Sequence, residues 1–332
     1  MSPAPVRWGV VGTGPIAAKV LGDLAATPGA VLHGVCSRSP ERGAAFARAH
    51  GADATYTDPA ALAADVDVVY VATPHTAHLG AATAVLRAGT PVLVEKPLTA
   101  TLAGARELAT TAWEAGVFCM EAMWTRFLPV TVALLDAVGA GEVGEPRALH
   151  ASIGTVVPAV PGSRLHDPRQ GGGALLDVGV YPVWLAVLLL GRATSVAAAG
   201  RVSDAGVDVL SGLLLQHGDD AVSLLSSSFS SRAAQDAVLE GTAGRLRLDA
   251  PVYAPSGLTV SLDGAPERTV RPGYRGAGYG HMLEHVHECL REGRSESPLH
   301  PLDTTLAVMT VLQEALDQLG VAQPREVAAA QA

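Results

Sequence analysis

From Val6 to about Ala122, short apolar runs of strand type alternate with stretches in which small and apolar residues recur at helical spacing. The pattern predicts strands over Val6–Val11, Ala30–Ser37, Val66–Ala72, Val92–Glu95 and Val117–Ala122. Helices are predicted from Ile16 and over Pro40–His50, His75–Ala88 and Leu102–Ala115. Such alternation argues for a parallel sheet covered on both faces. After Met123 the rhythm changes. A helix at Val130–Val138 and a strand at Arg147–Ile153 lead into a Pro- and Gly-rich loop that ends at Gly171-Gly172-Gly173. An apolar helix, Leu175–Leu190, is followed by strands at Ser195–Val202, Val207–Gln216, Ala221–Ser230, Ala237–Thr242, Arg245–Leu248 and Leu258–Leu262. Consecutive strands without helices between them indicate a largely antiparallel sheet. Helices at His281–Glu292 and Thr304–Leu319 close the chain, and the Ala-rich tail from Ala328 is expected to fray.

Two domains follow from this change of rhythm, 1–122 and 123–332. The first is a doubly wound α/β domain; the second carries an open, mostly antiparallel sheet with helices on one face. The length of 332 residues suffices for both cores. A net charge of −9 without any Lys/Arg block disfavours a nucleic-acid partner, because phosphate backbones require a concentrated basic surface. The three cysteines are far apart and suit a reducing compartment. The N-terminus lacks a signal-peptide layout, and the apolar stretch Val178–Leu190 is too short and interrupted to span a bilayer. A cytoplasmic protein is expected.

The first strand runs into Gly12-Thr13-Gly14-Pro15-Ile16-Ala17, which opens a helix. Gly12 can take a tight turn, Gly14 lets backbone approach a pyrophosphate, and Ala17 permits close helix–strand packing. The helix N-terminus offers unpaired N–H groups to the anion. Alone such a run could be a plain strand–turn–helix corner; after the first strand of an alternating domain it reads as the dinucleotide turn of a Rossmann fold. An NAD-specific site would end the second strand in a carboxylate for the ribose 2′-hydroxyl. Here the strand ends Val35-Cys36-Ser37-Arg38, with Arg42 a helical turn on. A hydroxyl and guanidinium groups suit a 2′-phosphate, so the expected cofactor is NADP rather than NAD.

Two further segments carry chemistry. Glu95-Lys96-Pro97 stands at the end of a parallel strand, where doubly wound sheets place their ligands. The run from Gly171 to Tyr181 leads into a helix on which Asp177 and Tyr181, four apart, share a face. Together with Ala72-Thr73-Pro74-His75 and Met120-Glu121-Ala122-Met123-Trp124, these motifs make the whole chain resemble the Gfo/Idh/MocA superfamily, in its dimeric dihydrodiol dehydrogenase and sugar dehydrogenase branch. The resemblance implies hydride transfer between nicotinamide and a carbonyl/alcohol carbon of a dihydrodiol or sugar-like substrate. Lys96 and Tyr181 are then the catalytic residues, with Asp177 orienting the substrate hydroxyl or Lys96. Sequence leaves open which of the two gives the proton. A nearby ammonium would favour the phenolate form of Tyr181. The inositol-dehydrogenase branch has histidine at the position of Tyr181, which speaks against a cyclitol substrate.

By the same resemblance, Thr73, Pro74, His75, His78, Glu95 and Lys96 are placed at the cofactor. Trp124, Arg126 and Phe127, with Asp177 and Tyr181, are placed at the substrate, and a cis bond is expected before Pro97. His281, His285 and His287 with Glu284 and Glu288 invite a metal reading, which is set aside because the chemistry needs none and no further ligand is apparent. An exposed sheet face in the second domain points to a homodimer. The competing reading is a non-catalytic NADP-binding regulator on the same fold, against which the retained Lys96, Asp177 and Tyr181 argue.

Overall fold

A computed structural model of the protein describes residues 4–322 and 324–327. The tail from Ala328 lies outside them. The chain falls into two compact units. The first contains the described residues up to Trp124, together with Arg275–Leu302 and the residues from Arg325 on. The second contains Thr125–Tyr274 and the stretch from Asp303 to Pro324. The boundary at Trp124 lies close to the change of rhythm in the sequence, but the stretch from Arg275 to Leu302 returns to the first unit.

Among the described residues, the first unit contains β1 (Val6–Val11), α1 (Pro15–Leu24), β2 (Ala30–Cys36), α2 (Pro40–His50), β3 (Ala54–Tyr56), α3 (Pro59–Ala63), β4 (Val68–Val71), α4 (His78–Arg87), β5 (Val92–Val94), α5 (Leu102–Ala115) and β6 (Cys119–Glu121). Its six strands are parallel in the order β3-β2-β1-β4-β5-β6. The order reverses between β1 and β4, at the C-terminal ends where such sheets take their ligands. The central strands are covered on both faces: Val10, Val68, Val69, Val92, Leu93 and Val94 are all fully buried. Two elements, β3 and α3, were not expected. They are three and five residues long, too short to build a period, although Asp58 before Pro59 is an N-cap signal and its carboxylate does accept the Ala60 N–H.

The second unit contains α6 (Pro129–Gly139), β7 (Pro146–Gly154), α7 (Val180–Leu190), β8 (Ser195–Val202), β9 (Asp208–His217), β10 (Ala221–Ser228), β11 (Ala237–Gly241), β12 (Gly244–Leu248), β13 (Leu258–Leu262) and β14 (Arg268–Val270). Among the described residues these strands form an eight-stranded sheet, β14-β13-β12-β11-β7-β10-β9-β8, antiparallel apart from the β7–β10 pair. The short edge strand β14 was missed by sequence. In the first unit α8 (Gly280–Arg291) packs on α1, and α9 (Leu302–Leu319) follows, all but its first residue in the second unit.

One apolar segment, 168–190, is long and apolar enough to cross a membrane by length and composition, which corrects the sequence estimate made on the shorter stretch Val178–Leu190. Most of it, 78%, is buried within the protein, and α7 lies against β7 and β10. The expected single helix Leu175–Leu190 is in fact a π-helical turn, Leu175–Gly179, followed by α7. A wider turn of this kind shifts the spacing of Asp177 relative to Tyr181 away from the ordinary α-helical (i, i+4) face.

Asp208, at the start of β9 and fully buried, anchors that segment. Its Oδ2 accepts the Leu175 N–H at 2.7 Å, and Gly173, at φ +117°, leaves no room for a Cβ beside Oδ1. Burial, opposed by backbone N–H groups of this turn, pushes the Asp208 carboxyl up from 3.8 to about 6. The folded state therefore holds the proton more tightly than the unfolded chain. That contribution to stability is complete below 3.8 and is lost as pH rises through about 6. Asp208→Asn mimics the protonated acid, so its stability relative to the parent protein should rise by roughly 1–2 kcal/mol between about pH 5 and pH 8. Thermal melts of both proteins across that range check this; a difference that stays constant or falls with pH contradicts it.

Candidate active site

In the first unit the site begins at the glycine turn. Gly12 sits at φ +111°, and a Cβ there would stand 2.5 Å from the Ala72 carbonyl oxygen, so the closest approach of β1 to the end of β4 requires glycine. Gly14 is the N-cap of α1, with Pro15 in the first turn, and a Cβ added to it would project into open space. Among the described residues no side chain caps α1, whereas α2, α3 and α5 are capped by Ser39, Asp58 and Thr101. At the end of β4, the buried Thr73 Oγ1 has no hydrogen-bond partner among the described residues. Open space at Gly14, bare helix N–H groups and an orphaned hydroxyl fit a dinucleotide phosphate. Thr13 and Ile16 complete the turn, Ile16 as the second residue of α1.

The end of β2 carries Ser37, which is buried and accepts the Ser39 N–H at 3.3 Å, and the exposed Arg38 and Arg42. The nearest acid, Glu41, is tied to the start of α2. Its carboxyl is held below the usual range, first by a backbone N–H and then by the Ser39 hydroxyl at 2.9 Å. It is thereby drawn to the helix start as a local cap.

Glu95-Lys96-Pro97 follows β5, and the Lys96–Pro97 bond is cis. Glu95 is almost fully buried. Its Oε1 accepts the Tyr70 hydroxyl at 2.5 Å and its Oε2 the Lys96 N–H at 3.2 Å. Burial pushes its carboxyl up, against the opposing pull of the Lys96 charge and the Tyr70 hydroxyl. His78 is 0% exposed, with Nδ1 3.0 Å from the Pro97 carbonyl and Nε2 2.9 Å from that of Thr73. Burial holds the His78 ring down to about 4, so it is neutral near pH 7 and has one N–H to give. Glu95 and His78 thus have polar atoms on protein partners and hold the loop that carries Lys96. His75 is also buried, edge-on to His78 with ring centroids 5.7 Å apart, and Pro74 leads into the 3₁₀ turn that begins at His75.

Trp124, placed at the substrate by resemblance, is only 3% exposed and packs on Tyr279 with centroids 4.5 Å apart, so its ring serves the core of the first unit. The histidines of α8 are likewise engaged in packing: His287 Nε2 accepts the Trp8 indole N–H at 2.9 Å, and His285 lies 2.8 Å from the Ser297 hydroxyl.

In the second unit Asp177 is paired with Arg164, Nη2 to Oδ1 at 3.0 Å. Tyr181, 7% exposed, stacks beside Tyr253 with centroids 5.6 Å apart. Phe127 is buried, and Arg126 is partly buried, its guanidinium pKa lowered by desolvation. Sequence reasoning missed Arg164, Tyr253 and Asp208. Arg164 and Tyr253 lie in loops without a pattern. Asp208 carried a usable signal, an acid between Val207 and Val209 in a strand otherwise reading as apolar.

Residues 6–123 match the oxidoreductase family with an NAD-binding Rossmann fold, and residues 131–247 match the GFO/IDH/MocA C-terminal domain. The trans-1,2-dihydrobenzene-1,2-diol dehydrogenase of Macaca fascicularis is 33% identical, covering 97% of this chain and 99% of that protein. The fold is shared with an aldose–aldose oxidoreductase from Caulobacter crescentus, at TM-score 0.86 and 22% identity over 95% of this chain and 98% of that one. A 3-ketoreductase from Actinomadura kijaniata, in complex with NADP and TDP-benzene, matches at TM-score 0.80 and 26% identity over 95% and 98%. A dinucleotide turn, a lysine-bearing turn after β5 and two family domains in order lead to one conclusion: the chain belongs to the Gfo/Idh/MocA family and is an NAD(P)-dependent oxidoreductase.

Proposed function

We propose that the protein moves a hydride between NADP(H) and a carbonyl/alcohol carbon of a dihydrodiol or sugar-like substrate. The observation that carries this reading is Lys96 itself. It is one of two lysines among the 23 basic side chains of the chain, the rest being arginine. Arginine does not release a proton in proteins, whereas lysine can hold, orient and exchange one. A lysine retained at the strand end where ligands bind, on a turn anchored by buried side chains, is therefore assigned to the reaction.

The nicotinamide, when bound, gives or takes the hydride. A carbonyl that receives a hydride builds negative charge on oxygen and must be given a proton. Lys96 and Tyr181 are the two groups assigned to that oxygen, one stabilising the charge and the other donating. Tyr253 packs beside the ring of Tyr181, and Arg164 bonds one Asp177 oxygen, orienting the carboxyl to accept from a substrate hydroxyl. The name of the Macaca relative motivates the diol in the substrate class. The purified protein should turn over one class in a panel of trans-dihydrodiols, aldoses, ketosugars and dicarbonyls, followed by NADPH absorbance. Lys96→Met and Tyr181→Phe should each lower kcat at least about a hundredfold while nucleotide still binds. Full turnover in either variant removes that residue from the assignment.

NADP is favoured because Ser37 and Arg38 follow β2, and the next carboxylate along the chain, Glu41, is bound to the start of α2. Arg38→Ala should weaken NADP about tenfold or more and leave NAD within about twofold, measured by nucleotide fluorescence titration. Equal losses for both nucleotides would show that Arg38 does not read the 2′-phosphate.

A homodimer through the second unit's sheet completes the reading. Leu210, Leu214, Val222 and Leu224 are exposed on β9 and β10, and Leu214 and Leu224 line a trough of about 610 Å³ together with Ala197–Ala199 and Val238. An apolar sheet face of this kind favours a second copy as its cover. Leu214→Glu with Leu224→Glu should halve the mass seen by sedimentation; an unchanged mass excludes this face. The three buried, unpaired cysteines suit a reducing compartment such as the cytoplasm.

A further inference from the structure

Beneath the turn that carries Lys96 lies a pair of side chains that the roles above leave unused. Glu121 ends β6, in register beside Val94 of β5, and His300 comes from the returning segment, 179 residues on. Their side chains are both 0% exposed, with His300 Nε2 3.0 Å from Glu121 Oε2. The other oxygen, Glu121 Oε1, accepts the Leu98 N–H at 3.0 Å. On the near side of the proline, Glu95 Oε2 accepts the Lys96 N–H at 3.2 Å. Residues 96–98 thus present two backbone N–H groups, since Pro97 has none, and each rests on a buried carboxylate.

A turn needs acceptors, but it does not need carboxylates. A serine or asparagine could satisfy one N–H without the desolvation cost of a buried charge, which runs to several kcal/mol for an uncompensated carboxylate. This fold buries a second acid beside Glu95, where its charge opposes the ionisation of Glu95, and brings a histidine from the far end of the unit to pair with it. The gain from that arrangement is rigidity and direction. A charge-assisted bond holds the Leu98 N–H more stiffly than a neutral one, and His300 prevents the carboxylate from swinging.

We propose that the Glu121–His300 pair is a positioning element for Lys96, fixing the backbone of residues 96–98 so that the lysine amine is presented in one orientation. This rests on the assignment of Lys96 to the reaction. The pair itself touches neither substrate nor cofactor; it acts through the Leu98 N–H and the intervening proline.

Because the chain has only Lys19 and Lys96, protein grown with lysine carrying carbon-13 at Cε gives two NMR signals, which Lys19→Arg assigns. Glu121→Gln and His300→Gln are expected to displace the Lys96 signal and leave that of Lys19 in place. On whichever substrate the panel yields, kcat should fall about tenfold, with the NADP Kd changed by less than about twofold. A pair that merely supports the fold would lower Tm and leave both the Lys96 signal and kcat of the folded enzyme unchanged; that result overturns the proposal. Should either single variant fail to fold, Glu121→Met combined with His300→Leu replaces the pair with apolar side chains, an exchange that buried ion pairs often tolerate. An unmoved Lys96 signal in that double variant is equally fatal. Lys96→Met with full turnover would instead overturn the assignment of Lys96, while the signal comparison would still decide whether the pair positions it.

Discussion

A parallel sheet satisfies its backbone only as far as its ladders run, and the chemistry of a doubly wound domain sits where the ladders stop. At the end of β5 this constraint is severe. The chain turns within buried surroundings, Pro97 contributes no donor, and the polar groups of residues 96–98 must find side chains. Glu95, Glu121 and His78 supply those partners, each from a different element of the first unit. Their own needs then propagate outward. Glu95 requires the Tyr70 hydroxyl from β4, Glu121 requires His300, and His78 also reaches the Thr73 carbonyl next to the nucleotide turn. The burial of Glu95, Glu121, His78 and His300 is thus explained by one short turn.

The second unit solves a comparable problem with different means. Its glycine-rich approach, Gly171 to Gly173, has no side chains to fill space; its N–H groups bond the Pro168, Asp167 and Leu165 carbonyls, and a buried carboxylate closes the turn behind it. Asp208 accepts the Leu175 N–H and occupies the volume that a Cβ on Gly173 would take. Burial is the largest influence on Asp208 and raises its pKa, against the backbone N–H groups that favour the charged form. The π-helical turn that follows lets Asp177 meet Arg164 while α7 keeps an apolar surface on the sheet. Hydrophobic burial supplies the stability of this region, and the polar contacts determine its shape.

The sequence shows most clearly what depends on local periodicity. The alternation up to Ala122 gives the parallel sheet because each strand is a compact apolar run flanked by a helix with its own repeat. The run of strands after Ser195 gives the second sheet for the same reason. The glycine turn at Gly12 and Gly14 and the cis bond after Lys96 were recognisable because they depend on the backbone of their own neighbourhood. Partners supplied by tertiary contact were not. His300 belongs with Glu121 across 179 residues, and nothing in its surroundings, Pro298-Leu299-His300-Pro301, shows that its ring is buried against a carboxylate. The same holds for His78: proximity along the chain to Thr73 and His75 is visible in sequence, whereas the approach of both ring nitrogens to carbonyls is not.

The balance of lysine and arginine connects these levels. A chain that meets nearly all its needs for positive charge with arginine gains a planar, permanently ionised donor suited to surface pairs such as Arg147 with Glu145 and Arg275 with Glu284. Those pairs are solvent-screened and contribute little to stability. The two exceptions therefore stand out against a background that makes arginine the default. Lys19 lies over the Tyr279 ring, 5.5 Å from its centroid, an attraction that either cation could provide. Lys96 stands on a turn that two buried carboxylates hold in place, and in the role proposed for it a lysine differs from an arginine in being able to give up a proton as well as carry charge. Precision in its backbone and a releasable proton in its side chain are then complementary requirements, since a proton donor is useful only when its geometry is maintained from one turnover to the next.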